Sequence, residues 1–60
     1  MDKLQIQFLE EVSRNTITLS ALAEKFGLDY YRAKLIASDL EKSGKIKKVI
    51  NGQYVVFEKV

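Results

Sequence analysis

Arg32, Lys34, Lys45, Lys47 and Lys48 stand close together in the second half of the chain, and as a set they are equipped to bind polyanions. A lysine or arginine that neutralises a phosphate releases a condensed counterion, so binding of this kind weakens as salt rises. The competing use of the same side chains is to keep a small domain soluble. Other chemistry is excluded by what is missing. There is no His and no Cys, hence no side chain that titrates near neutrality unperturbed and no thiolate to act as nucleophile or ligand. The eight carboxylates, Asp2, Glu10, Glu11, Glu24, Asp29, Asp39, Glu41 and Glu58, are scattered as solvating charges are, and no two of them make an acid and base pair. The expectation is a protein without catalytic residues, metal or cofactor, and with no small-molecule ligand evident.

The charge is unevenly spread. Residues 1–29 hold three positive and five negative side chains, a net of −2, whereas residues 30–60 hold seven positive and three negative, a net of +4. Sixty residues leave room for one domain, spanning 1–60, and 47% hydrophobic with 30% charged residues is the balance of a folded chain. A domain so short buries only about 60% of the surface its unfolded form exposes, so every apolar position counts, or a second copy helps. A homodimer is compatible with that need. The longest apolar runs are two or three residues, such as Val55, Val56 and Phe57, too short for a membrane span or a signal-peptide core. No membrane partner is expected, and the lack of Cys fits an intracellular, cytoplasmic setting.

The elements that must position the cationic residues follow from periodicity. Leu4, Phe8 and Val12 recur every four residues with Leu9 alongside, which predicts a helix over 2–14 with Asp2 at its N-cap and Ile6 at the margin of its apolar stripe. Asn15 stops it, and β-branched Thr16, Ile17 and Thr18 predict a short strand. Ser20 is the expected cap of a second helix over 20–27, with Leu22 and Phe26 on one face, Gly27 ending it and Leu28 as the apolar plug of the turn. Asp29 caps a third helix over 30–43, closed by Gly44. Ala33, Ile36, Ala37 and Leu40 share its core face, and Tyr31, Leu35, Ser38 and Lys42 lie almost opposite, flanked by Tyr30 and Lys34. Residues 45–59 change to strand-forming types around Asn51-Gly52, which predicts a hairpin with a type I′ turn. That turn pairs Ile50 with Gln53, Lys48 with Val55 and Ile46 with Phe57. The inner face then holds Ile46, Val55 and Phe57. Val49, Tyr54, Lys47 and Val56 fall on the outer face, an apolar mixture that suggests a bulge.

The order helix, short strand, helix, turn, helix, two-stranded hairpin resembles the winged helix-turn-helix family over nearly the whole chain. Leu40-Glu41-Lys42-Ser43-Gly44-Lys45-Ile46 is similar to that family's junction between recognition helix and wing, and Leu19 to Leu28 is similar to its second helix and turn. The Gly27 to Gly44 spacing also matches the Z-DNA-binding subfamily. However, Lys34, Ser38 and Gln53-Tyr54 stand where that subfamily has Asn, Tyr and a Pro-Pro-Leu-Trp type wing, which favours an ordinary duplex. The resemblance implies an α+β fold, order α-β-α-α-β-β, that binds duplex DNA, sequence-specifically or generally, as a small transcriptional regulator. It implies that the third helix enters the major groove and that the basic hairpin lies on the backbone. Lys34 then reaches a guanine edge or a phosphate, Tyr30 and Tyr31 donate hydroxyls to phosphates, Ser38 contacts either and Leu35 meets a thymine methyl. Arg32, Lys45, Lys47 and Lys48 serve phosphates, with Asn51 at the wing tip.

Two other readings stay open. Tyr31 and Leu35 form a small apolar patch suited to a protein partner or a second copy. A dimer through helix one, or through Tyr54 and Val56 on the outer hairpin face, leaves DNA binding intact. The segment from the third helix to the wing also resembles a winged-helix ribosomal family that binds RNA, although the net charge is low for that role. Lys45 has a structural use as well, pairing across the hairpin with Glu58.

Overall fold

Asp2 begins the first helix by a reciprocal exchange with Gln5. Its carboxylate accepts from the Gln5 amide at 2.9 Å, and the Gln5 side chain accepts from the Asp2 amide at 3.2 Å, a capping box that satisfies two otherwise orphaned donors. The computed structural model describes residues 2–60, with α1 over Lys3–Arg14, β1 over Ile17–Thr18, α2 over Leu19–Lys25, α3 over Tyr30–Lys42, β2 over Ile46–Asn51 and β3 over Tyr54–Lys59. The architecture is α+β, three helices and a three-stranded antiparallel sheet of order β1-β3-β2. Among the described residues no helix is long and apolar enough to cross a membrane.

Two sequence expectations about α2 need correction. Its cap is Thr18, not Ser20: the Thr18 hydroxyl accepts from the Ala21 amide at 3.2 Å, so the last residue of β1 also starts the helix, which begins at Leu19 and ends at Lys25. The extended backbone that pairs with β3 is the conformation an N-cap requires, which lets one residue do both. Gly27 ends α2 as expected. At φ +65° it allows its own amide to donate to the Glu24 carbonyl and that of Leu28 to reach the Ala23 carbonyl at 2.9 Å, a Schellman motif. Asp29 caps α3 by accepting from the Arg32 amide at 2.8 Å.

The hairpin differs more. Its register pairs Ile46 with Lys59, Lys48 with Phe57, Val49 with Val56, Ile50 with Val55 and Asn51 with Tyr54, a slip of two residues from the expected pairing. Because the slip is even, each residue keeps its face. The loop is Gly52-Gln53, and only Gly52, at φ +64°, is left-handed, as in a type II′ turn rather than a I′ turn at Asn51-Gly52. The inventory of cross-strand pairs does not separate the two registers: Val49–Val56, Ile50–Val55 and Lys47–Glu58 replace the expected Ile46–Phe57, Val49–Tyr54 and Lys45–Glu58. The turn does, since the observed loop asks a positive φ of Gly52 alone, whereas a I′ turn at Asn51-Gly52 asks it of Asn51 as well. The six pairs run without a bulge. Lys45 precedes β2 and does not face Glu58. The two-stranded hairpin is present as expected, and the short strand β1 joins it as a third strand, pairing with β3 through Ile17–Phe57 and Thr18–Val56. A methyl group at Gly52 would meet nothing within 4 Å, so Gly52→Ala isolates the backbone penalty of the left-handed conformation. A loss of about 1–2 kcal/mol is expected, read as a lowered urea midpoint; an unchanged midpoint would mean that the turn is not as described.

The core gathers Phe8 and Val12 from α1, Leu19, Leu22 and Ala23 from α2, Ala33, Ala37 and Leu40 from α3, and Ile46 and Phe57 from the sheet. Phe8 and Phe26 stack with ring centroids 5.0 Å apart. As the central strand, β3 buries both Val56 and Phe57, although adjacent strand residues point to opposite faces. Val56 is therefore lost to the dimer surface expected from the outer hairpin face, and Val55, expected inside, is 41% exposed near the tip.

Glu11, expected to be a solvating charge, is only 4% exposed. The Lys25 ammonium lies 2.9 Å from one carboxylate oxygen, the Arg14 guanidinium 3.9 Å away, and the Asn15 side-chain amide donates at 3.2 Å. The hydrogen bond from Lys25 holds the carboxyl below its ordinary value of 4.5 against the opposing effect of burial, with Asn15 and the two cationic charges adding to the shift. A pKa lowered by folding contributes stability that is complete above the unfolded value and disappears as pH falls through the folded one. Glu11→Gln should therefore unfold at less urea than the parent at neutral pH, and the two midpoints should converge as pH falls below about 4.5. Midpoints that differ equally at all pH values would rule out this ionic origin.

Candidate nucleic-acid interface

The turn after α3 sends the chain directly into β2, so the helix and the hairpin lie side by side. The α3 C-terminus makes the same motif as that of α2: Gly44, at φ +75°, donates to the Glu41 carbonyl and Lys45 to the Leu40 carbonyl, each at 3.0 Å. Ile46 then enters the core, which fixes β2 against α3. Between them runs an open groove of about 470 Å³.

This groove brings together four of the residues singled out by sequence. Tyr30, Lys34 and Ser38 line it from successive turns of α3, and Lys48 lines it from β2. The spacing of the three helical residues at i, i+4 and i+8 places them along one stripe. Lys48 faces the groove because it shares the sheet face of Ile46 and Phe57. Neither Lys34 nor Lys48 has a carboxylate within ion-pair distance among the described residues.

The other six candidates are exposed but lie outside the lining. Tyr31 is 69% and Leu35 49% exposed on α3, and Arg32 is exposed on the same helix. Lys45 occupies the turn before β2, while Lys47 and Asn51 belong to the opposite face of the hairpin from Lys48. Alternation along β2 makes that division inescapable, because adjacent lysines cannot share a face.

Several lining residues were not among the sequence candidates: Thr18, Ser20, Glu41, Gln53, Tyr54 and Val55. Tyr54 and Gln53 were legible as hairpin residues, but their approach to α3 depends on the register and turn. Thr18 and Ser20 arrive only because β1 docks on β3.

No known protein family matches the sequence, and no curated protein does. Among solved structures, the chain is similar to a hypothetical protein from Pyrobaculum spherical virus, with a TM-score of 0.89 and 24% sequence identity. The likeness is one of fold. It covers 95% of this chain and 37% of the viral one, so the chain spans little more than a third of that protein's length. The same three-helix, three-strand arrangement therefore occurs within a longer polypeptide.

Proposed function

We propose that this domain is a winged helix-turn-helix that binds duplex DNA without catalysis and acts as a small transcriptional regulator. The α2–turn–α3 pair is then the helix-turn-helix, with α3 as the recognition helix and the β2–β3 hairpin as the wing. One observation carries the reading: Lys34 on the helix and Lys48 on the hairpin line a single groove, neither paired with a carboxylate among the described residues. Tyr30 and Ser38 add hydroxyl groups along the same stripe of α3, and residues 30–60 carry the chain's whole positive excess. Lysines so placed neutralise backbone phosphates, while Lys34 and Ser38 are within the part of α3 that meets base edges.

The test is a fluorescence-anisotropy titration with a random-sequence duplex at low and at moderate salt. Affinity should fall with salt at a log–log slope of about −2 to −4, the range for two to four neutralised phosphates. Absence of binding at low salt would remove the proposal. A second reading has its own support. Tyr31 and Leu35 are exposed one helical turn apart and lie outside the groove, an apolar patch suited to a protein partner or a second copy. Sedimentation of the parent and of Leu35→Ala separates the two. An oligomer lost in the variant together with unchanged DNA affinity assigns the patch to protein contact; a monomeric parent removes the self-association form of this reading.

A further inference from the structure

We infer that the groove between α3 and the hairpin receives one unpaired nucleotide, so that this domain prefers a duplex containing an unpaired base to a fully paired one. The inference rests on the duplex reading above and narrows its substrate. Tyr30 stands on the helical side of the groove; Tyr54, the cross-strand partner of Asn51 and so rooted on the sheet face opposite Lys48, borders the groove at the hairpin tip; the two are 57% and 66% exposed. Aromatic rings more than half exposed at the border of a groove leave apolar surface uncovered by the chain, and a nucleic-acid base supplies the flat face that such rings stack upon. Lys34 and Lys48 likewise come from opposite sides, which places positive charge on either flank of an entering strand. The floor is apolar, made by Leu19 and Phe57, and the rim holds Ser20, Ser38 and Gln53, whose hydroxyl and amide groups can meet a base edge. Glu41 is the one carboxylate in this lining; it accepts hydrogen bonds from an exocyclic amino group and repels phosphate, so the sugar–phosphate strand belongs toward the lysines.

The size of the groove suits a single base. A volume of about 470 Å³ is that of a site for a small organic molecule. A single base with its sugar fits such a volume, whereas a base pair held in a duplex presents only its edges to α3. An unpaired nucleotide also enters without the cost of breaking a pair, which is a source of selectivity in itself.

The experiment compares a labelled blunt duplex with the same duplex carrying one bulged thymine, and separately replaces that thymine with fluorescent 2-aminopurine. The bulged duplex should bind at least about five-fold more tightly, the lower end of what one base stacked on an aromatic ring contributes. Tyr54→Ala should bring the ratio near one, and Tyr54→Phe, which keeps the ring, should preserve it. The 2-aminopurine emission should change on binding to the parent and to Tyr54→Phe but not to Tyr54→Ala. Equal affinity for the two duplexes overturns the inference and leaves duplex binding standing, while no binding to either overturns both. A bulge preference that survives in Tyr54→Ala without an emission change also overturns it, since it then reflects easier bending of the bulged DNA.

Discussion

Phe8→Ala is expected to lower the stability of the chain by about 3–5 kcal/mol, the largest loss of any single truncation in the core. Phe8 is fully buried, stacks on Phe26 and sits among residues from every helix and from the sheet. Removing such a ring costs about 3–5 kcal/mol, because the transfer energy of the lost atoms adds to that of the cavity. A chain of this length has a total stability on the order of 3–9 kcal/mol, so the loss takes from about a third to all of it. Circular dichroism and the dispersion of a proton NMR spectrum would read the result. Phe8→Leu should remain folded, with a lower midpoint. Ile6→Ala, two positions away but 44% exposed, should shift the midpoint by roughly 0.5 kcal/mol or less. A Phe8→Ala variant with native dispersion and a nearly unchanged melting temperature would refute the described core.

The second large effect concerns binding. Lys34→Ala with Lys48→Ala should weaken duplex affinity about ten-fold per substitution at low salt and reduce the salt slope by roughly two phosphates' worth. Both side chains are exposed, so the double variant should keep the parent's thermal stability. Lys47→Ala makes the same change in charge on the opposite hairpin face, across from Glu58, and should reduce the slope by well under the roughly one phosphate expected of Lys48→Ala alone. Measured in one titration series, these variants test geometry rather than net charge. Equal effects from Lys47 and Lys48 would mean that the domain binds by diffuse charge and that the groove is not the contact surface.

Much of the fold was legible in the sequence because local rules sufficed. Helix ends were marked by residues whose chemistry acts over three or four positions: Asp2 and Asp29 accept from amides three residues on, and Gly27 and Gly44 take the left-handed conformation that lets following amides turn back. The α3 core face was also legible, since Ala33, Ala37 and Leu40 repeat at helical spacing and all are buried. Tyr30, Lys34 and Ser38 shared a stripe for the same reason.

Other features depended on contacts distant in sequence. Glu11 lies three residues after Phe8, on the apolar stripe, and that spacing was a signal for its burial; its partner Lys25 belongs to another helix, and only the docking of both α1 and α2 on α3 brings them to 2.9 Å. Asn51-Gly52 marked a hairpin, but the tip dipeptide did not select the register, because a two-residue slip preserves every face and leaves a positive φ to glycine alone. The docking of β1 on β3 made Thr18 the cap of α2 and carried it to the groove. By itself, then, the sequence determined the helices, the ends of α1 and α3, the existence of the hairpin and the basic character of the second half, all effects that act within a few residues. Only the tertiary structure decided which lysine of an adjacent pair faces α3, because that choice follows from sheet alternation once Ile46 and Phe57 are drawn into a common core.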